Sequence, residues 1–360
     1  MIRALIAACA VLACVASATA QAPARVNDAA ITAARPAATW AAYGFFRDAG
    51  AREPTARVTP YDLNTALYSD GALKFRYVYI PAGAQAQYNG DGVFEFPVGT
   101  VLIKTFAFAE DMRTPEQNVR FLETRLLIRR ESGWVALPYV WNEAQTEARY
   151  SPIGADLPVS FSNEEGQAIA LDWHVPNVNE CSGCHVRNGE VEPIGPSARN
   201  LNRDFAYADG EANQIGHWNS LGLLSPLPAS ASPRVPNAYD ASAPLADRAR
   251  AYLDVNCAHC HNPAGPAHTS GLDLSWSQDD PSRWGVLKRP VAAGRGSAGF
   301  EFSIEPGHPE RSILLHRMQS TDPGVMMPEL GRTLVDERGV ALIREWIAGM
   351  DGSGSPSERN

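Results

Sequence analysis

Leu245-Ala246-Asp247-Arg248-Ala249-Arg250-Ala251-Tyr252-Leu253-Asp254-Val255-Asn256-Cys257-Ala258-His259-Cys260-His261 is the stretch on which the fold turns. Pro244 opens it, and Leu245, Ala249, Tyr252 and Leu253 recur at a spacing that shares one helical face. The helix runs directly into Cys257-x-x-Cys260-His261. A second unit of the same form, Cys181-Ser182-Gly183-Cys184-His185, stands earlier in the chain. Residues three and four apart lie on the same side of a helix, so each unit projects two thiols and an imidazole together.

Beyond His261, Pro309 to Gln319 and Glu337 to Met350 read as two further helices. Proline suits a first turn, and Val340, Ile343 and Ile347 share a face. Upstream the period changes. Leu73 to Ile80, Val93 to Phe96, Val101 to Phe108, Phe121 to Arg129, Trp134 to Trp141 and Ile169 to Val175 read as strands. Turn residues such as Asn89-Gly90-Asp91-Gly92 and Ser132-Gly133 separate them, which predicts antiparallel hairpins. The expected fold class is α+β, with an N-terminal antiparallel β domain followed by an all-α domain.

The expected organisation starts with an export signal over 1–20. Arg3, the apolar run Ala4 to Val15 and Ala18-Thr19-Ala20 carry it. An arm with one short helix near Trp40 to Asp48 follows over 21–55. Residues 56–242 hold the β-rich domain, the first Cys-x-x-Cys-His and a proline-rich linker at Ser225 to Pro236. The helical domain spans 243–351, and 352–360 form a polar disordered tail. The expected location is periplasmic or secreted, with lipidation at Cys14 as the alternative to simple secretion. Without residues 1–20 the chain has 30 basic and 40 acidic residues, a charge of −10, and no basic run. That balance excludes nucleic acid as a partner.

Of six cysteines, the four left after removal of Cys9 and Cys14 all fall in the two motifs. Paired cysteines in an oxidising compartment form disulfides by default, and two such pairs also suit zinc. Neither needs a histidine after each pair. Eight histidines in 360 residues put one at a fixed position about 0.02 of the time, and two about 0.0005 of the time. The pattern is the one that attaches haem covalently, with thiols on the vinyl groups and the histidine on iron. Two haem c groups are therefore expected, held by Cys181, Cys184 and His185 and by Cys257, Cys260 and His261. Met327, in Gly324-Val325-Met326-Met327-Pro328-Glu329, is the expected sixth ligand of the second haem, a soft thioether suited to electron transfer. For the first haem the candidates are Met112, His174 and His217. Gly294-Arg295-Gly296-Ser297-Ala298-Gly299 matches a dinucleotide pattern but opens no predicted helix, so it reads as a loop.

Pro60-Tyr61-Asp62-Leu63-Asn64, Phe96-Pro97-Val98-Gly99-Thr100, Glu123-Thr124-Arg125-Leu126-Leu127, Asn256 to Gly265 and Met327-Pro328-Glu329-Leu330-Gly331-Arg332 carry a resemblance to a family of bacterial dihaem c-type cytochromes. The resemblance spans about residues 40 to 350. It implies electron transfer and offers a secreted parallel β-helix protein as partner, beside periplasmic redox proteins. The helix ending in Cys257-x-x-Cys260-His261, the methionine loop and the last helix resemble a class I cytochrome c domain. That likeness implies an all-α, cytochrome c-like C-terminal domain whose first and last helices cross, pairing Tyr252 or Leu253 with Trp346 or Ile347. The β-rich part, with Phe96-Pro97-Val98-Gly99-Thr100 and Lys104, resembles the cytochrome P460 group. There an open haem, in some members cross-linked through lysine, is implied. The leading expectation is an electron carrier. A haem enzyme acting on peroxide or small nitrogen oxides at the first haem is the alternative, and a β docking module is a third.

Overall fold

The computed structural model describes residues 25–351 except Ala49, Ala51, Asp91, 229–232 and Ala292. The expected export signal, the tail and part of the linker lie outside the described residues.

Alternating sequence builds the scaffold. Six strands form one antiparallel sheet in chain order: β1 (Val58–Tyr61), β2 (Leu73–Tyr79), β3 (Val101–Ala109), β4 (Val119–Arg130), β5 (Gly133–Trp141) and β6 (Ala148–Tyr150). Successive side chains leave opposite faces of a strand. One face of the sheet collects Tyr77, Tyr79, Val101, Ile103, Leu126, Ile128 and Tyr139, and residues 31–45 cover it through Ile31, Trp40, Tyr43 and Phe45. The Tyr43 and Tyr139 hydroxyls meet at 2.9 Å inside this layer.

The opposite face is divided. At one end Val78 and Leu102 pack with Phe94, Phe96 and Trp218. At the other, Phe106 and Phe108 pack against a separate hairpin, β7 (Ala155–Ser162) and β8 (Ala168–Val175), through Phe161 and Trp173. Between the two apolar zones runs a band of charge. Arg76, Lys104 and Arg125 stand opposite one another on β2, β3 and β4.

Among the described residues five helices of seven residues or more follow: α1 (Val178–His185), α2 (Gln214–Ser220), α3 (Leu245–Asn256), α4 (Ile313–Gln319) and α5 (Glu337–Ala348). Helices α3 and α5 pack together, burying Tyr252, Leu253, Ile343, Trp346 and Ile347 in one cluster. The helices approach closely at Gly339, where an added Cβ would collide with the Tyr252 ring and hydroxyl.

The expected all-α, cytochrome c-like C-terminal domain is corrected. Helical spacing in 245–256 and 337–348 is real but local. Between them only Pro281–Trp284 and α4 are α-helical, and the rest of this glycine-, proline- and serine-rich chain forms turns, short 3-10 segments and parallel bridges at Val286–Ile304 and Phe302–Ser312. The helices are also stitched to the β part. Asn256 Oδ1 accepts from the Tyr68 amide at 2.8 Å, and Asp70 accepts from the Thr333 and Leu334 amides at 2.7 Å each. Arg199 and Asp254 form a largely buried ion pair at 3.0 Å. No helix among the described residues is long and apolar enough to cross a membrane.

Candidate functional site

The first motif is set by two local devices. Asn177 and Glu180 form a capping box at the start of α1: Asn177 Oδ1 accepts from the Asn179 and Glu180 amides, and Glu180 Oε2 accepts from the Asn177 amide. After His185 the chain reverses at Asn188-Gly189, both with positive φ (51° and 83°), as a two-residue hairpin turn requires. The reversal returns Glu192 to His185. The Glu192 amide donates to the His185 carbonyl at 2.7 Å, and His185 Nδ1 meets the Glu192 carbonyl at 2.8 Å. A carbonyl only accepts, so Nδ1 carries the proton and Nε2 keeps its lone pair. The Asn188-Gly189 pair was the readable signal for this turn, and sequence reasoning missed it.

His261 reaches the same state by another route. Its Nδ1 lies 3.0 Å from Ser270 Oγ, and that hydroxyl donates to the Ala267 carbonyl at 2.7 Å. The serine oxygen is thus left to accept, and Nε2 of His261 is again free. Burial pushes the pKa of each ring down to about 4, which keeps both neutral and able to ligate at neutral pH.

The two motifs meet. Cys260 Sγ is 3.8 Å from the Gly183 carbonyl oxygen, and the Asn188 amide donates to the Ala264 carbonyl at 3.0 Å. Cys184 and Cys260 act on each other, which holds Cys184 below the ordinary thiol range and Cys260 above it. All four cysteines are free thiols and half-buried. No three His, Cys, Asp or Glu side chains among the described residues converge as a metal site.

The residues fit covalent haem on several counts. No residue of α1 is fully buried, although the helix lies against β5. A cavity of about 990 Å³ adjoins Cys184 and His185 and is walled on its far side by Ala258 and His259 of the second motif. That is the upper end of the range for small-molecule sites. His259 Nδ1 is buried without a partner among the described residues. An orphaned polar atom in a cavity wall is unusual in a finished interior. Sequence reasoning passed over His259 because it occupies a variable position of the motif.

Met327 sits in a loop that touches both motifs. Its amide donates to the Arg317 carbonyl at 3.0 Å. Glu329 acts electrostatically on Cys260, and Arg317 on His261. A Cβ on Gly183 would sit 3.5 Å from Leu330 Cδ1. Met326 is buried, whereas Met327 is half-buried and borders a small void with Tyr68, Tyr252 and Asn256. Arg332 fixes the loop: its guanidinium donates to the carbonyls of Arg317, Met318, Ser320, Met327 and Leu334.

The first-haem ligand candidates fall elsewhere. His174 uses both ring nitrogens, on Asp156 at 2.7 Å and Glu180 at 3.0 Å. His217 stacks on Tyr207 at 3.6 Å between centroids, and Met112 packs beside the Phe106–Trp173 cluster. None of the three borders the cavity beside His185. Lys104 projects from the sheet face toward the first motif, near enough for its charge to act on His185. Residues 294–297 form a 3-10 turn, not the opening of a nucleotide-binding helix. No protein family, no curated protein and no solved structure matches the chain.

Proposed function

We propose that the chain is an exported dihaem c-type cytochrome that carries electrons between redox proteins outside the cytoplasm. The observation that carries this reading is the meeting of two complete Cys-x-x-Cys-His motifs, each with its histidine held neutral and Nε2 bare. Haem iron supplies a reversible one-electron couple when bound at such motifs. Cys181 and Cys184 would hold one group covalently and His185 would ligate it. Cys257, Cys260 and His261 would do the same for the other, with Met327 as the second group's further ligand. Glu192 and Ser270 orient the two imidazoles, and an oriented imidazole is a stronger, better-placed ligand. The test is haem stoichiometry after denaturation and acid extraction. Two haems retained per chain support the reading, and freely extracted haem refutes it.

A haem enzyme at the first motif is the second reading. It is favoured by the cavity beside His185, into which Met112, His174 and His217 do not reach. Carbon monoxide uptake by one haem per reduced chain supports it, and no uptake favours the carrier.

A further inference from the structure

The charged band on the sheet is expensive as it stands. Arg76, Lys104 and Arg125 are direct cross-strand neighbours, and Lys74 lies two residues from Arg76 on the same face. Like charges placed opposite each other destabilise a sheet. Carboxylates answer only part of the charge. Glu123, fully buried, uses both oxygens on Arg125 at 2.6 and 2.7 Å and also accepts from Trp173. Asp62 is shared between Arg76 at 2.7 Å and Arg203 at 3.1 Å. Asp70 is turned to the Thr333 and Leu334 amides. Lys74 donates to the Ala72 carbonyl at 3.2 Å. Lys104 has neither a carboxylate nor a carbonyl partner among the described residues, only the Phe106 ring at 4.6 Å.

Lys104 is also not closed over. It sits on the third of six strands, yet it is only half-buried. Two strands away, α1 packs against β5 without fully burying any of its residues. Cys181 and Cys184 act electrostatically on Arg125, and Lys104 acts on His185, so the band lies within electrostatic reach of the first motif. Burial, and after it the charge of Arg76, holds the Lys104 ammonium well below the ordinary lysine range, a cost that an arriving anion would relieve.

The geometry points to Arg76, Lys104 and Arg125 as an anion site that takes a carboxylate or a small oxyanion between the sheet and the first motif. Two sources share this chemistry: a propionate of the haem proposed at His185, or a free oxyanion drawn to that motif. The first source rests on the haem reading and the second does not.

The experiment uses the full-length protein, its haem content measured in parallel. Wild type, Lys104→Gln and Lys104→Arg are titrated calorimetrically with sodium nitrite at low ionic strength, and the haem propionate bending band is recorded by resonance Raman. A free-anion site binds nitrite in wild type, loses at least about tenfold in affinity in Lys104→Gln and recovers it in Lys104→Arg. A propionate site shows no nitrite binding that depends on Lys104, and its bending band shifts in Lys104→Gln but not in Lys104→Arg. Nitrite binding that ignores Lys104→Gln with no band shift, or neither nitrite binding nor a band shift, overturns the site. Absence of covalent haem sinks the haem reading alone, because the nitrite titration then decides the site by itself.

Discussion

His185 and His261 each commit Nδ1 to an acceptor, and the acceptors come from unrelated local structures: a carbonyl returned by a hairpin and a serine whose own proton points elsewhere. At this scale the methionine loop gives the sharpest prediction. Met327→Ala should remove a weak sulfur-to-iron band from the oxidised spectrum and lower the potential of one haem by on the order of 0.1 V, because a thioether favours ferrous iron. Arg332 touches no reacting atom but anchors the Met327 carbonyl together with those of Arg317, Met318 and Ser320. Arg332→Gln should therefore weaken the same band while covalent haem is retained, with a stability loss of roughly 2 kcal/mol for carbonyls left unpaired. An undisturbed band in Arg332→Gln would remove its positioning role. The two Cys-x-x-Cys-His units were legible as motifs because that pattern is a matter of spacing, and Met327 stood out by the proline that follows it. His259 and the Lys104 band were not legible, since what marks them is a missing partner, and that shows only when distant strands and loops are brought together.

Elements hold these residues by a few close contacts. Gly339 lets α5 approach the Tyr252 ring on α3, so Gly339→Ala should cost about 1–3 kcal/mol, read as a lower urea midpoint. An unchanged midpoint would mean the two helices can separate freely. His174 joins the β7–β8 hairpin to the first turn of α1 through Asp156 and Glu180, and the Asp156 hydrogen bond, followed by that of Glu180, raises its pKa. A histidine with a raised folded pKa stabilises fully below its ordinary value near 6.5, and the contribution is lost as pH rises through the folded value. Hydrogen exchange over residues 178–185 should accordingly quicken as pH rises beyond that ordinary value, after correction for intrinsic rates, and His174→Gln should flatten the dependence. An identical profile in the variant would show that the bridge does not hold α1. Strand positions followed from apolar and aromatic runs between turn residues, since Val101–Ala109 is buried along almost its whole length and Leu73–Tyr79 and Gly133–Trp141 in their second halves. The 155–162 strand was not visible, because Pro158 and its polar neighbours hide a half-exposed hairpin. The supposed all-α domain failed for a related reason: three readable helices suggested a domain, while the glycine-rich chain linking them follows tertiary contacts that local spacing does not encode.

Across the whole molecule, two motifs far apart in sequence come to lie against each other because the chain between them is tied at both ends. Asn188 binds Ala264 behind the first motif, Asp70 and Tyr68 hold the helical part to the sheet, and the Met327–Leu330 loop bridges the two motifs. The account stands on what those motifs carry. Haem retained by denatured, acid-extracted protein, measured per chain in wild type, Cys181→Ser and Cys257→Ser, tests it most directly. The account predicts two haems in wild type and a reduced count in each variant. Extraction of all haem from wild type, or two haems still retained in both variants, would contradict it.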